Sequence, residues 1–399
     1  MTPAGRAQAA IDLLDEIIAA AARGGAAADT LIARYFKARR YAGSKDRRAV
    51  RDLVYRAIRR AGEVPASGRA ALIGLAVDDP ALAAAFDGSA VGPAPIAAGE
   101  AAAPGGIAPA WLMERLGRSL DEAQLSALLD RAPLDIRVNA LKASRAEVQA
   151  LIPGAEPTPH AAMGLRLPEG TQVEALPAFA QGLFEVQDEG SQIVTAAADA
   201  RPGMTVVDLC AGAGGKTLAL AAAMENRGRL IACDADRARL SRLAPRAERA
   251  GIGPVETRLL DGGREADALA DLRDAVDVVL VDAPCSGTGT WRRNPEARWR
   301  LTPERLDRLV ALQARLIRVA AALVRPGGYL VYIVCSLVDE EGAEQVAAFL
   351  ADHAGWSAAE PLPVQTGLIA GSPYGAGLRL TPATDGTDGF FVARLHRPW

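Results

Sequence analysis

The sequence predicts an α/β protein: a Rossmann-like domain with a doubly wound, mostly parallel sheet, preceded by an all-α domain and a small α+β linker domain. Three observations predict it. Residues 197–399 alternate short apolar runs with helical stretches, the rhythm of a parallel sheet with helices on both faces. Residues 1–130 carry apolar side chains at helical spacing only. Between them, residues 131–196 switch to strand-like alternation around one short helix. The expected domains are therefore 1–130, 131–196 and 197–399.

The elements follow in order. Ile11, Leu14 and Ile18 recur at helical spacing, as do Val50, Leu53, Val54, Ala57 and Ile58. Residues 61–110 are rich in Ala, Gly and Pro and read as short helices joined by a mobile loop. DIRVNAL alternates as a strand does, and SRAEVQALI follows as a helix opened by Ser144. GLRLP and GLFEVQD read as further strands. After Gly203 come five apolar runs: TVVDL, RLIACD, VETRLLD, VDVVLVDAP and YLVYIVCS. Ligands of such sheets bind at the carboxyl ends of the strands, near the point where strand order reverses. Asp208, Asp234, Asp261, Asp282 and Cys335 all stand at those ends.

DLCAGAGGKT joins the first of these strands to a helix. Its glycines permit a tight turn and close approach of a ligand to the backbone. A phosphate loop needs glycine where Cys210 stands, and GxGxxG needs glycine where Thr217 stands. Asp208 with Gly212 and Gly214 better fits an S-adenosylmethionine loop. Asp234 is placed to accept the ribose hydroxyls of a nucleoside cofactor. Asp261 is placed to accept from an adenine amino group.

Four cysteines stand far apart, with no CxxC pair. That spacing argues against a zinc site or a disulfide framework. Cys285 and Cys335 each end a strand-like run. Asp282 precedes Cys285 across Ala283–Pro284, and Asp339, Glu340 and Glu341 after Cys335 suit a helix N-terminus whose dipole would favour a thiolate. Methylation of a pyrimidine ring carbon uses such a site. A thiolate adding at carbon 6 of cytosine makes carbon 5 nucleophilic. A carboxyl bonded to the base stabilises the adduct. A second group then assists release. Cys335, Asp282 and Cys285 match these three roles.

The formal net charge is −3, which by itself points to no nucleic-acid partner. The distribution says more. Residues 31–60 hold eleven Lys or Arg against Asp46 and Asp52, interleaved with Tyr35, Phe36, Tyr41 and Tyr55. Such a basic, aromatic face suits RNA. Arg39, Arg40, Lys45, Arg47 and Arg48 are its candidate contacts. WRRNPEARWR adds Arg292 and Arg293, with Trp291 and Trp299 available to stack on a base. Arg137 and Asn139 are further candidates. No run of apolar residues is long enough to span a bilayer and no signal peptide is read, so a reduced, cytoplasmic, monomeric protein is expected.

Taken in order, DLCAGAGGKT, CDAD, LLDGG, VDAPCSGTGTWRRNPEARWR, IVCS and DGFFVARL resemble the motifs of the bacterial RsmB/Sun-type RNA cytosine-5 methyltransferases. RVNALKASRAEV and FEVQDEGSQIV resemble that family's linker region, and RYFKARRYAGSKDRRAVRDLVYRAIRR resembles the NusB-like RNA-binding domain of its ribosomal-RNA branch. Val334 and Ala213 depart from its pattern without removing a reacting group. The resemblance implies that Cys210, Ala211, Gly212, Ala213, Gly214, Gly215 and Lys216, with Asp234, Asp261 and Asp282, contact S-adenosylmethionine. It implies Cys335 as nucleophile, Cys285 as the group assisting release, and small-subunit ribosomal RNA as substrate. The alternatives are a tRNA methyltransferase, an RNA-binding module with a vestigial catalytic half, and a small-molecule methyltransferase. The NusB-like front argues against the first. Intact Asp282, Cys285 and Cys335 argue against the second, and the basic front against the third.

Overall fold

Four helices open the chain: α1 (Pro3–Arg23), α2 (Ala28–Ala38), α3 (Ser44–Arg60) and α4 (Gly68–Ala76). The computed structural model describes residues 1–253, 255–361 and 370–399. Local chemistry sets the first helix. The Thr2 side chain accepts from the Gly5 amide, Pro3 takes the first turn, and Gly24 closes the helix at φ 67°. Leu13, Leu14, Ile17, Val50, Val54, Ile58 and Leu72 are fully buried between the helices. At Gly68 a Cβ would lie 2.3 Å from the Ile11 carbonyl oxygen. Only glycine lets α4 approach α1 that closely.

These helices form one compact unit, residues 1–131 together with 290–305; the second unit is 132–289 with 306–399. The segment 290–305, expected within the 197–399 domain, thus folds with the helices. Trp299 enters their core at 4% exposure.

In the second unit, β1 (Leu134–Val138), β2 (Glu156–Pro157), β3 (Gly164–Leu167) and β4 (Phe184–Val186) form an antiparallel sheet in the order β2-β3-β1-β4. Ile136, Val148, Leu165 and Phe184 make its core. The helix Arg145–Leu151 starts on a capping box between Ser144 and Glu147, as its sequence predicts. Arg137 and Asn139, expected to touch RNA, are buried here at 9% and 6% exposure. Arg137 donates to the Gly215 carbonyl at 2.9 Å. Asn139 donates to the carbonyls of Gly182 and Ala250 at 3.0 and 2.7 Å. Both fasten the small sheet to the following domain, because a buried donor must find an acceptor.

Among the described residues the large sheet has nine strands. They are β5 (Thr205–Asp208), β6 (Arg229–Asp234), β7 (Glu256–Leu259), β8 (Val276–Asp282), β9 (Val324–Val334), β10 (Ser357–Ala359), β11 (Ser372–Tyr374), β12 (Gly377–Leu380) and β13 (Phe390–His396). The order is β11-β12-β13-β9-β8-β5-β6-β7, with β10 beside β13. β7-β6-β5-β8-β9 are parallel. The four remaining strands pair antiparallel at the β9 side. Strand order reverses beside β5, with β6 on one flank and β8 on the other. The carboxyl ends of β5, β6, β8 and β9 therefore open at one edge of the sheet, the ligand-binding edge of such folds.

Candidate active site

The loop after β5 is shaped by two left-handed glycines, Gly212 at φ 55° and Gly214 at φ 89°. A Cβ on Gly214 would lie 2.2 Å from the Leu243 Cδ1 atom. The loop carbonyls are held from outside: Arg246 donates to Ala213 O at 2.6 Å, and Arg137 to Gly215 O. Inside, Asp234 Oδ2 accepts from the Gly212 amide at 2.7 Å and its Oδ1 from the Asp236 amide at 2.7 Å. Asp234 thus braces the turn as well as facing it, a role that the sequence does not announce.

Asp208 ends β5 at 0% exposure. Its Oδ2 accepts from Thr217 Oγ1 at 2.7 Å, while Oδ1 is buried with no hydrogen-bond partner among the described residues. Burial pushes its carboxyl up to about 7, against the Thr217 hydrogen bond, which lowers it. Asp261, two residues past β7, is exposed. Carboxylates at the ends of β5 and β6 and just past β7, beside a glycine loop with an orphaned buried acceptor, fit an adenosyl group with its ribose and adenine.

Asp282 ends β8, and Lys216 reaches it with Nζ–Oδ2 2.7 Å. Burial pulls the Lys216 ammonium down, but the charge and hydrogen bond of Asp282 outweigh it, so it ends above its ordinary value. Lys216 is in the expected loop; its pairing with Asp282 was missed, and only proximity in the fold reveals it.

Cys285 lies in the turn after β8 and Cys335 just beyond β9. Their Sγ atoms are 3.4 Å apart, and both are partly exposed. The hydrogen bond to Cys335 is the largest influence on the Cys285 thiol; with burial it pushes that thiol well above its ordinary value. Cys210 is also pushed up, by burial and then by Asp208, and Cys233 is up to about 12, chiefly by burial. Burial thus disfavours the thiolate at both.

The cysteine turns are tied together by buried polar groups. The Gly289 amide donates to the Cys335 carbonyl at 3.1 Å. The Gly389 amide donates to Gly289 O at 2.8 Å, and a Cβ on Gly289 would fall 2.1 Å from Gly389 O. The DGFF segment therefore packs directly on the turn after Cys285. Asp339–Glu341 form a short 3-10 turn. Glu341 stands just before the helix Ala343–Asp352, as expected, and its side chain points inward and is fully buried. Its partners are on Ser286 and Gln313; burial in the fold, not sequence spacing, identifies it.

The structure leaves Arg40, Lys45, Arg47 and Arg48 exposed and Arg39 half-buried over the Tyr35 ring at 3.6 Å. Arg292 is buried at 7% exposure, Trp291 at 0% and Trp299 at 4%. None of these three is available to RNA, and Arg293 is only half-exposed. Among the described residues no cluster of His, Cys, Asp and Glu could hold a metal ion, and no helix is long and apolar enough to cross a membrane.

A family model described as 16S rRNA methyltransferase RsmB/F matches residues 196–396. A probable ribosomal RNA small subunit methyltransferase B of Synechocystis sp. is 35% identical over 301 residues, covering 72% of this chain and 66% of that protein. The match therefore spans just under two thirds of that relative. The crystal structure of PH0851 superposes with a TM-score of 0.78 at 25% identity, over 100% of this chain and 99% of that one. A methyltransferase homologue from Pyrococcus horikoshii superposes with a TM-score of 0.61 at 27% identity, over 72% of this chain and 94% of its own.

Proposed function

The chain belongs to the 16S rRNA methyltransferase RsmB/F family, and from that membership and the two facing cysteines we propose that it methylates carbon 5 of a cytosine in small-subunit ribosomal RNA. S-adenosylmethionine is the cofactor; when bound it supplies an electrophilic methyl group. The loop Cys210–Lys216, Asp234 and Asp261 are the residues that would hold it.

The observation that carries the reading is the 3.4 Å approach of Cys285 and Cys335 beside Asp282 at the sheet edge. Cys335 adds to carbon 6 of the base, and the electron pair moves to carbon 5. Asp282, steadied by Lys216, hydrogen-bonds the base edge and stabilises that adduct. With that pair carbon 5 would bond the methyl group that the cofactor supplies, the methyl–sulfonium bond breaking as it does so, and release then breaks the carbon 6–sulfur bond. Cys285 gives its proton to the departing Cys335 sulfur and takes the carbon-5 proton in exchange. The carbon 5–hydrogen electron pair becomes the 5,6 double bond. Cys285 ends as it began, a thiol beside Cys335. The exposed arginines and Lys45 of the helical unit supply phosphate contacts.

Alanine at each cysteine tests the assignment. Cys335→Ala cannot form the adduct, so it is inactive and never joined to RNA. Cys285→Ala attacks but stalls, and a protein–RNA adduct survives denaturing electrophoresis. The opposite pattern reverses the roles, and full methylation by both variants ends the cysteine mechanism.

A further inference from the structure

Glu341 is buried at 0% exposure, and among the described residues no cation pairs with it. A buried lone carboxylate is costly unless its lone pairs are filled. Here they are filled by one stretch of chain and one glutamine. Glu341 Oε1 accepts from the Ser286 amide at 2.8 Å and from Gln313 Nε2 at 2.9 Å, and Oε2 accepts from the Ser286 hydroxyl. The same Gln313 amide donates to the Pro284 carbonyl at 2.9 Å. Cys285 stands between Pro284 and Ser286, so its backbone is clamped on both sides.

The clamp extends to the other cysteine. Ser286 and Ser336 hydroxyls lie 3.0 Å apart, and Ser336 and Thr288 hydroxyls 3.1 Å apart. Their proton directions are forced. Ser286 spends its proton on the carboxylate, so it accepts from Ser336. Ser336 has then spent its own, so Thr288 donates to it, and Thr288 accepts from the Leu337 amide at 2.8 Å. A single chain runs Thr288 to Ser336 to Ser286 to Glu341, through the residue that follows each cysteine. Tyr332 closes the anchor by donating to the Glu341 carbonyl at 2.6 Å.

We propose that Glu341 is the positioning residue of the release step, holding Cys285 against Cys335 through Ser286, Ser336 and Gln313. The inference rests on the cysteine roles given above. Glu341 touches neither substrate nor cofactor in this scheme; it acts through the turn that carries Cys285. It also acts through charge. The groups facing the Cys285 sulfur are Tyr332 from β9 and, beyond that strand, Cys335 and Glu341, while Lys216 lies on the Cys335 side and is paired with Asp282. Tyr332 is pushed up by burial and stays neutral. After the Cys335 hydrogen bond, burial and the Cys335 charge, the Glu341 charge further raises the Cys285 thiol.

The test uses the full chain with tritiated S-adenosylmethionine and unmethylated small-subunit RNA. Glu341→Gln keeps the volume but turns an N–H toward the Ser286 hydroxyl or the Gln313 amide. The expected result is an adduct that accumulates as in Cys285→Ala, with release slowed by about 10²-fold, the scale of a small misplacement at a reacting pair. Cofactor affinity by calorimetry stays within about twofold, since no cofactor group is changed. The alkaline fall of the release rate moves to lower pH, because the thiol that must keep its proton has lost a raising charge. A purely structural role would not move that limb. Ser286→Ala breaks the hydroxyl chain alone and carries the test should Glu341→Gln not fold; release slowed by about tenfold is expected. Wild-type release rate and pH profile in these variants, with Cys285→Ala still trapping adduct, overturn the proposal. If Cys285→Ala turns over freely, the cysteine assignment falls first and the positioning role with it.

Discussion

Two arginine-rich stretches of the helical unit, residues 31–60 and 291–300, have opposite fates. Arg40 in the turn after α2, and Lys45, Arg47 and Arg48 at the start of α3, stand in solvent. Arg298 is 0% exposed. Its guanidinium donates to the carbonyls of Pro295, Ile58, Arg59 and Ala61 at 2.6, 2.6, 3.1 and 2.9 Å. Trp299 Nε1 adds a bond to Ala61 O at 3.0 Å, and Arg300 donates to Gly25 O and Ala26 O at 2.6 and 2.7 Å. Glu296 meanwhile accepts from the Ala28 amide at 2.9 Å, at the start of α2. Helix starts have spare N–H groups and helix ends spare carbonyls. The second stretch supplies an acid to one helix start and arginines to two helix ends, in the sense that the helix dipole favours. Charge density alone does not separate an RNA contact from a cap; what separates them is whether a helix end is left unsatisfied nearby.

Arg298→Met is the strongest way to break that comparison. The carbonyls of Pro295, Ile58 and Arg59 lose this donor inside the core, at about 1–3 kcal/mol for each that stays unsatisfied, while Ala61 O keeps its bond from Trp299. Partial relaxation leaves an expected loss of about 5 kcal/mol, enough to unfold a unit of ordinary stability. Urea unfolding followed by tryptophan fluorescence reads it. A change within about 0.5 kcal/mol, the size of a surface substitution, would place Arg298 with the exposed arginines after all.

The same contrast exists among the carboxylates of the second unit, between buried Asp208 and exposed Asp261. Asp208 ionises near 4 in the unfolded chain and at about 7 in the fold. Its raised value means that stability is full below about pH 4 and is lost as pH rises through 7, then stays level. The shift corresponds to at most about 4 kcal/mol. Asp208→Asn removes that slope and makes the protein more stable than wild type at pH 8. Native-state hydrogen exchange of the β5 amides between pH 5 and 8, corrected for intrinsic rates, checks it. An unchanged slope in Asp208→Asn would assign the pH dependence elsewhere.

The parallel strands and the glycine loop were legible because each rests on neighbours in sequence: a short apolar run, a turn, a helix. Cys285 and Cys335 were legible as a pair because parallel strands bring their carboxyl ends to one edge. Three things were not. Glu341 reads as one acid among Asp339, Glu340 and Glu341, and nothing local says which turns inward. Arg137 reads as a polar residue on an alternating strand, yet its acceptor at Gly215 lies in another domain of the same unit. The α2 start has Ala27 at its N-cap with no side-chain bond of its own; its acid arrives from Glu296, far along the chain. In each case the deciding partner is distant in sequence, so no window of residues contains it.

The smallest expected effect on stability comes from the exposed stretch, and it sharpens the comparison most. Arg40 and Arg48 lack a carboxylate partner among the described residues and stand in solvent. Replacing both by alanine removes no buried bond, so stability should move by no more than about 0.5 kcal/mol. RNA affinity should behave differently. Each phosphate contact releases counterions, so each one lost flattens the slope of log affinity against log salt by about 0.7 to 0.9. Two contacts give a flattening of about 1.5, and affinity falls most at low salt, where the counterion term is largest. Filter binding of small-subunit RNA between low and moderate salt reads both quantities from one set of titrations. Cofactor affinity serves as the internal control, because the glycine loop lies in the other unit and keeps its residues. A slope identical to wild type would make residues 31–60 an ordinary solvated face. The RNA contacts would then have to come from charged groups outside the two stretches compared.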